Sequence, residues 1–158
     1  MMDFDTAFKR LIGHEGGLTE HPNDPGGLTN YGISQRSYPN VDIRNLTVNQ
    51  AKDIYQRDFW DVIGNAHPAI KFQVFDFAVN SGINTAIRKL QAAIGVADDG
   101  HWGPISAKAL AAADVNDVIM RYVAQRIRFW AALSTWPTFG KGWVLRAAGQ
   151  LEYASQDN

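Results

Sequence analysis

The sequence contains no cysteine, and this absence excludes several kinds of chemistry. Without thiols the protein forms no disulfide bond, has no thiolate nucleophile and holds no cysteine-ligated zinc ion. Long apolar runs are missing as well, because no stretch approaches the roughly 20 apolar residues that a membrane-spanning helix requires. The sequence therefore predicts a protein that is not inserted in a membrane, whereas the lack of cysteine leaves its compartment open.

An excess of charge of one sign is also absent. The chain has 15 lysines and arginines against 16 acidic residues, and its formal net charge is -1. Such a balance produces no general basic field, so we expect no nucleic-acid partner. Basic residues recur on the predicted helices, where we interpret them as parts of solvated faces. These residues are Lys9, Arg10, Arg121, Arg126 and Arg128.

The length and composition are those of one globular domain. The chain has 158 residues, of which 46% are hydrophobic, and this is enough to bury a sizeable core. The first ten residues, MMDFDTAFKR, carry acidic side chains where a signal peptide has basic ones. We therefore expect a monomer that is made in the cytoplasm without a signal peptide and is exported by another route.

Residues 16–46 are rich in glycine and proline and lie between a predicted first helix and a later series of predicted helices. Ahead of them, the apolar spacing predicts an amphipathic helix from about Asp5, its N-cap, to His14. Glu15 then lies at the C-terminal edge of this helix. The glycine-rich stretch predicts loops and short strands, with a small hairpin from Leu28 to Ile33. Long ordered loops are usually functional, so we expect the chemistry here.

The sequence from residue 47 onward predicts a series of helices. Capping boxes, prolines in first turns and glycines after last turns set their limits. The predicted helices begin at the capping box of Thr47 and Gln50, at Pro68, at Asn84 or Thr85, at Pro104, at Val115 and at Gly142. Their predicted ends include Gly82, Gly95, Leu133 and Ser155, and Pro137 is expected to break the helix that starts at Val115.

Glu15 is the strongest candidate for a catalytic group. A carboxylate at the C-terminal end of a helix faces the negative end of the helix dipole, and partial burial also disfavours its charged form. Both effects raise the pKa of a carboxylic acid, which then stays protonated near neutral pH and serves as a general acid. Glycoside hydrolysis requires such an acid, together with a second group that stabilises the cation or activates water.

Asp24 is the candidate for that second group. It follows Glu15 across the glycine-rich loop, in the turn sequence Asn-Asp-Pro-Gly-Gly. The alternatives are that Asp24 only forms the turn, and that Glu20, in a loop expected to be exposed, is the second carboxylate. Thr29 and Tyr31 follow closely, either to orient a water molecule and contact a sugar or as ordinary strand residues.

The remaining polar candidates have mainly structural interpretations. Asp76 lies between two phenylalanines on a predicted helix, where a buried carboxylate needs a hydrogen-bond partner, and Asn80 one turn later is a candidate for lining the substrate. His14 and His21 do not match the His-Glu-x-x-His pattern of zinc proteases. Asp99 fits a tight turn better than a calcium loop. No metal ion and no cofactor are therefore predicted.

The candidate residues fall in a pattern that resembles the signature of glycoside hydrolase family 108. Residues 14–17 read His-Glu-Gly-Gly, and residues 24–33 read Asp-Pro-Gly-Gly-Leu-Thr-Asn-Tyr-Gly-Ile. After Glu-Gly-Gly the family often has an aromatic residue, whereas this chain has Leu18. Similar segments at residues 75–82, 99–104 and 139–146 extend the resemblance to nearly the whole chain.

The resemblance implies a lysozyme-like α+β fold that is mainly α, with a small β-hairpin lobe and a helical lobe. It implies one catalytic domain, in which residues 1–90 hold the catalytic motifs and residues 91–158 resemble the family's peptidoglycan-binding region. The implied activity is that of an endolysin-type lysozyme, which hydrolyses the β-1,4 bond between N-acetylmuramic acid and N-acetylglucosamine in peptidoglycan. The implied site has Glu15, Asp24 and Thr29 as catalytic residues and Tyr31 and Asn80 as substrate-binding residues.

Two other functions remain open at this point. A lytic transglycosylase cleaves the same bond with a single acidic glutamate, although Asp24 and Thr29, suited to handling water, argue against it. A non-catalytic peptidoglycan-binding module has no need of the Glu15 motif. If the protein is an endolysin, the resemblance implies that it reaches the periplasm after holin-type release.

Overall fold

The computed structural model of the protein describes residues 2–12, 17–20 and 27–158. The chain forms two compact units, which are Asp3–Asp58 and Phe59–Asn158, with Met2 assigned to the second. Glu15 and Asp24, together with His14 and His21, lie outside the described residues. The expectation of a single domain with a division at residue 90 stays a prediction.

The first helix, α1, spans Phe4–Leu11 and differs from its prediction at both ends. Its N-cap is Asp3 and not Asp5, because the Asp3 carboxylate accepts a hydrogen bond of 2.8 Å from the backbone N–H of Thr6. At the other end, Ile12 has already left helical geometry, with φ of -121° and ψ of -27°. The prediction that the helix continues to His14 was therefore wrong.

A three-stranded antiparallel sheet follows in the same unit. Its strands are β1 (Leu18–Glu20), β2 (Leu28–Asn30) and β3 (Ile33–Ser34), in that spatial order. The pairing of β2 with β3 confirms the predicted hairpin from Leu28 to Ile33. Strand β1 was not singled out from the sequence, because all three of its residues are exposed and give no alternation of apolar and polar side chains.

The unit is completed by a loop and a helix. Asn30 is buried, and its side-chain amide donates hydrogen bonds to the backbone carbonyls of Ile43, at 3.0 Å, and Leu46, at 3.4 Å. Helix α2 spans Val48–Tyr55, and the predicted capping box of Thr47 and Gln50 is confirmed. The chain continues through a π-helical turn and a short 3-10 turn.

Five helices make up the Phe59–Asn158 unit. They are α3 (Pro68–Ser81), α4 (Ile83–Ala93), α5 (Pro104–Ala112), α6 (Val115–Ala131) and α7 (Trp136–Asp157). The predicted starts at Pro68, Pro104 and Val115 are confirmed. Gly95 has φ of 76° just after α4, as expected of a glycine that ends a helix.

Two helix starts were predicted wrongly in this unit. Helix α4 begins at Ile83 with Gly82 as its N-cap, so neither Asn84 nor Thr85 caps it. The positive φ of Gly82, 92°, lets the chain pass directly from α3 into α4 without a capping side chain. Helix α7 begins at Trp136 and not at Gly142. Pro137 lies in its first turn, where the missing N–H of proline costs nothing, and it does not break α6.

A buried ion cluster joins three of these helices. Asp76 on α3 accepts hydrogen bonds from Arg126 on α6, at 2.7 Å, and from two nitrogens of Arg146 on α7, at 2.8 and 3.1 Å. The side chains of Asp76 and Arg126 are each only 1% exposed. The interpretation of Arg126 as part of a solvated face was therefore wrong, whereas the predicted structural role of Asp76 is confirmed.

The Arg126 guanidinium is stabilised in part by aromatic rings. Its central carbon lies 4.6 Å from the ring centroid of Phe77 and 4.7 Å from that of Trp130. Within the described residues, its Nε and Nη1 atoms are buried without a hydrogen-bond acceptor. Desolvation lowers the pKa of Arg126, while the charge of Asp76 opposes this effect. The cation thus depends on Asp76 for its main compensation.

The described residues confirm the predicted fold class. They form a mainly α structure with one small antiparallel sheet, as in an α+β protein. None of the helices in the described parts of the chain is long and apolar enough to cross a membrane.

We expect the substitution Asp76→Asn to lower the free energy of unfolding by about 3–5 kcal/mol, because it leaves the buried Arg126 cation without its anion. Urea unfolding followed by circular dichroism measures this change. The control is Arg44→Gln, which removes an ion pair to Glu20 whose two side chains are more than half exposed and which contributes little. Equal midpoints for Asp76→Asn and the unsubstituted protein would contradict the assignment.

Candidate active site

The two predicted catalytic carboxylates belong to segments that are bounded by elements of one unit. In sequence, Glu15 falls between the end of α1 at Leu11 and the start of β1 at Leu18, and Asp24 falls between β1 and β2. Because Glu20 pairs with Leu28, the two ends of the segment that contains Asp24 are adjacent in space. Positions of the carboxyl groups themselves lie outside the described residues.

The end of α1 removes one argument for an acidic Glu15. Helix α1 ends at Leu11, four positions before Glu15 in sequence. The effect of a helix dipole falls off within the last turn, so the sequence argument from the dipole, which had this helix continue to His14, no longer applies. The chemical case for Glu15 then depends on its motif and on partial burial, which stays a prediction.

Thr29 lies at the centre of a row of hydroxyl groups across the sheet. The register places Thr29 opposite Thr19 on one side and opposite Ser34 on the other. Directly paired residues of antiparallel strands point to the same face of a sheet, so all three hydroxyl side chains share one face. Asn30 and Ile33, one position along, point to the opposite face and are buried. The sheet therefore presents hydroxyl groups on the face away from its buried side chains.

The hydroxyl of Thr29 has one weak partner among the described residues. It donates to the backbone carbonyl of Thr19 at 3.5 Å, which is at the long limit for a hydrogen bond. A water molecule or a sugar hydroxyl at a normal hydrogen-bond distance would therefore replace the Thr19 carbonyl as the partner of the Thr29 hydroxyl. The geometry of Thr29 is thus compatible with its predicted role, which nothing in the described structure tests.

Tyr31 is half-buried and directly follows β2. It forms the two-residue turn to β3 with Gly32, and both residues have positive φ, of 51° and 78°. The structure thus brings Thr29 and Tyr31 together in one hairpin. Asn80, the other predicted substrate-binding residue, belongs to the Phe59–Asn158 unit.

Glu20, the rival second carboxylate, is exposed as predicted, although it lies in strand β1 and not in a loop. Its Oε2 atom forms an ion pair of 3.1 Å with Arg44, and the Glu20 side chain is 61% exposed. Because this carboxylate is exposed and already paired with a cation, its setting is that of a surface ion pair.

Asn80 makes a structural hydrogen bond at the end of α3. Its Oδ1 atom accepts from the indole N–H of Trp130 at 3.1 Å and from the hydroxyl of Ser81 at 2.7 Å. Trp130 is 1% exposed, so this carbonyl oxygen is the acceptor of a buried donor. The side-chain oxygen of Asn80 is therefore occupied, while its amide NH2 forms no hydrogen bond within the described residues and is the group that can bind a ligand.

The Asp99 turn is structural, as predicted. Its carboxylate accepts from the backbone N–H of His101 at 2.9 Å and from the Gln91 amide at 3.1 Å. These hydrogen bonds, first that from His101 and then that from Gln91, hold the pKa of Asp99 below its usual range. Searched over the described residues alone, the structure contains no group of three side chains suited to hold a metal ion.

One cavity in the Phe59–Asn158 unit was not found from the sequence. It encloses about 430 Å³ and is mostly apolar, with Ile70, Leu110 and Trp102 among its lining residues. His67 also lines it, and its Nδ1 atom accepts from the backbone N–H of Ala69 and caps α3. No sequence signal marked this cavity, because its walls come from segments more than 30 residues apart whose apolar residues resemble ordinary core positions.

Comparisons with known proteins agree with this fold and these motifs. The family model described as glycosyl hydrolase 108 matches residues 8–82, just under half of the chain. A solved structure described as that of Brucella abortus SagA is similar over 98% of this chain and 94% of its own, with 29% identity and a TM-score of 0.85. No protein in a curated set matched significantly.

The family match and the structural similarity together support a glycoside hydrolase of the kind that degrades peptidoglycan. Residues 8–82 are similar to the glycosyl hydrolase 108 family, in agreement with the resemblance found in the sequence. The matched segment contains both predicted carboxylates, the three-stranded sheet and Asn80.

We expect Asn80→Ala to lower the free energy of unfolding by about 1–3 kcal/mol, because it leaves the buried indole N–H of Trp130 without an acceptor. Asn80→Asp keeps the acceptor and should retain most of that stability. It removes the NH2 donor, however, so we expect weaker binding to insoluble peptidoglycan in a pull-down assay. Ser81→Ala, which removes only the other donor to Asn80, is the control. Unchanged binding by Asn80→Asp would remove Asn80 from the substrate-binding residues.

Proposed function

We propose that the protein is an N-acetylmuramidase, a lysozyme that hydrolyses the β-1,4 bond between N-acetylmuramic acid and N-acetylglucosamine. The main support is the family match over residues 8–82, which contains the Glu15 and Asp24 motifs on either side of β1. The arrangement of the unit adds support, since α1 and β1 bound the segment of Glu15, and β1 and β2 bound that of Asp24.

In the proposed mechanism Glu15 acts as the general acid. Its carboxyl proton passes to the glycosidic oxygen as that bond breaks, and an oxocarbenium-like transition state forms on the muramic acid ring. Asp24 stabilises this positive charge or, together with Thr29, positions the water molecule that attacks the ring carbon. The hydroxyl-bearing face of the sheet supports the role of Thr29, because a threonine hydroxyl both donates and accepts hydrogen bonds.

We also propose that the protein acts as an endolysin, which lyses the cell from within. In this proposal the protein reaches the periplasm after holin-type release and contacts only the glycan strands of the wall. The resemblance of its motifs to a family that includes phage endolysins supports the proposal. The near-neutral net charge, -1, agrees with a substrate that is recognised by local contacts and not by a general field.

We expect Glu15→Gln to reduce peptidoglycan hydrolysis by several orders of magnitude, because glutamine has no proton to transfer. Turbidity loss of purified cell walls measures the rate, and an unchanged thermal melt shows that the variant is folded. Mass spectrometry of the products of the unsubstituted protein distinguishes the reaction types. Reducing muramic acid ends support the proposal, anhydro ends would identify a lytic transglycosylase, and binding without release would identify a non-catalytic module.

A matched pair of substitutions tests the second carboxylate. We expect Asp24→Ala to lower the rate by at least about 100-fold, because the cation or the water loses its partner. Glu20→Gln, which alters an exposed carboxylate in the same unit, should leave the rate nearly unchanged. The same turbidity assay compares the two variants. If Glu20→Gln causes the larger loss, the roles of the two residues are reversed, and a modest loss for both leaves Asp24 as a turn residue.

A further inference from the structure

The turn between β2 and β3 has an unusual residue in a left-handed conformation. Among the described residues, Tyr31 is the only one other than glycine with positive φ, at 51°. A two-residue turn in which both residues have positive φ strongly favours Asn-Gly, Asp-Gly or Gly-Gly. A tyrosine there is strained, because its Cβ atom lies too close to the following carbonyl oxygen. Something in the structure must therefore hold Tyr31 in this conformation.

The hydroxyl of Tyr55 holds the turn from inside the same unit. It donates a hydrogen bond of 2.8 Å to the backbone carbonyl of Tyr31. The Tyr55 ring is fixed in α2, since the residue is 2% exposed and its ring packs edge-on against Phe8 at 6.1 Å. The contact is also close, because a Cβ atom added to Gly32 would lie only 2.8 Å from the Tyr55 hydroxyl.

Within the described parts of the chain, the side chain of Tyr31 forms no hydrogen bond that would offset the strain in its backbone. There, the only hydrogen bond of Tyr31 outside the sheet is the one accepted by its backbone carbonyl, and its half-buried ring forms no aromatic pair. An asparagine would form the same turn at lower energy. Strained residues persist where the structure over-determines them, and such residues cluster at binding and catalytic sites. The strain therefore indicates a use for the tyrosine ring.

We propose that Tyr55 is a positioning residue, whose hydroxyl holds the Tyr31–Gly32 turn so that the Tyr31 ring contacts a sugar of the glycan strand. This inference rests on the proposed function, because it concerns the same glycan. An aromatic ring with a polar tip packs against the apolar face of a sugar while its hydroxyl bonds to the sugar's edge. The position suits that contact, since Tyr31 lies two residues after Thr29 on the same hairpin.

Tyr55→Phe tests the proposal by removing only the hydroxyl. We expect KM for purified peptidoglycan to rise by about five-fold, the effect of losing one net hydrogen bond, with kcat nearly unchanged. Tyr31→Asn should raise KM at least as much while its melting temperature stays the same or increases, because asparagine accepts this turn more readily. A residue with a merely structural role would not combine higher stability with weaker binding.

The double variant shows whether Tyr55 acts through Tyr31. In the Tyr31→Asn background, Tyr55→Phe should cause no further rise in KM, since there is no ring left to position. Tyr38→Phe is the matched control, because it removes a hydroxyl of the same unit that donates to Asp58 at 2.7 Å and not to the turn. A five-fold rise in KM for Tyr55→Phe in both backgrounds would show an independent role and overturn the proposal. An unchanged KM for Tyr31→Asn would overturn it as well.

A binding assay separates this proposal from the proposed activity. Glu15→Gln removes turnover, so binding of that variant to insoluble peptidoglycan is measured without cleavage. Adding Tyr31→Asn or Tyr55→Phe should lower the bound fraction, and adding Tyr38→Phe should not. If the unsubstituted protein releases no reducing ends but these binding differences persist, the muramidase proposal fails and the role of Tyr55 stands. Equal binding by all the variants would overturn the role of Tyr55 and would not affect the muramidase proposal.

Discussion

Three helices of the Phe59–Asn158 unit meet at a single carboxylate, that of Asp76. Arg126 and Arg146 reach it from α6 and α7, and a buried charge is tolerated only when such partners compensate it. Because two cations share one anion, the carboxylate of Asp76 does not compensate both charges fully. The aromatic faces of Phe77 and Trp130 therefore add to the stabilisation of the Arg126 cation. A shift of α6 or α7 along α3 would separate these charges in a dry interior. The ion cluster therefore restricts the register of the three helices far more than apolar packing alone would.

The Asp3–Asp58 unit depends on a different constraint, which is the alternation of side chains along β2. The buried amide of Asn30 bonds to the loop at Ile43 and Leu46, so this face of the strand cannot turn outward without losing two hydrogen bonds. Thr29 is thereby directed to the other face, beside the hydroxyl groups of Thr19 and Ser34. A slip of one residue would exchange these faces. The buried side chain of Asn30, which has no proposed catalytic role, thus fixes the face of the sheet on which the candidate residue Thr29 lies.

Local signals in the sequence predicted what local interactions decide. The capping box at Thr47 and the first-turn proline at Pro104 were found because their partners lie within a few residues. The burial of Arg126 was missed because its partner, Asp76, is 50 residues away on another helix. Strand β1 was missed because it is exposed throughout and is held only by pairing with β2. The catalytic motif was recognisable from residue types, whereas the role of Tyr55 required the position of its hydroxyl.

Two of the described residues, Arg126 and Tyr31, contradict ordinary sequence rules, and they do so in different ways. Arg126 is a buried cation, but a carboxylate and two aromatic rings compensate it, so its burial is explained by the packing of the helices. Tyr31 has a left-handed backbone conformation. A hydrogen bond to its backbone carbonyl holds this conformation, but that bond does not involve the Tyr31 ring. A local rule is broken at a residue whose side chain gains no structural contact mainly where function requires it. This difference is the reason to look for the glycan contact at the tip of the hairpin and not at the ion cluster.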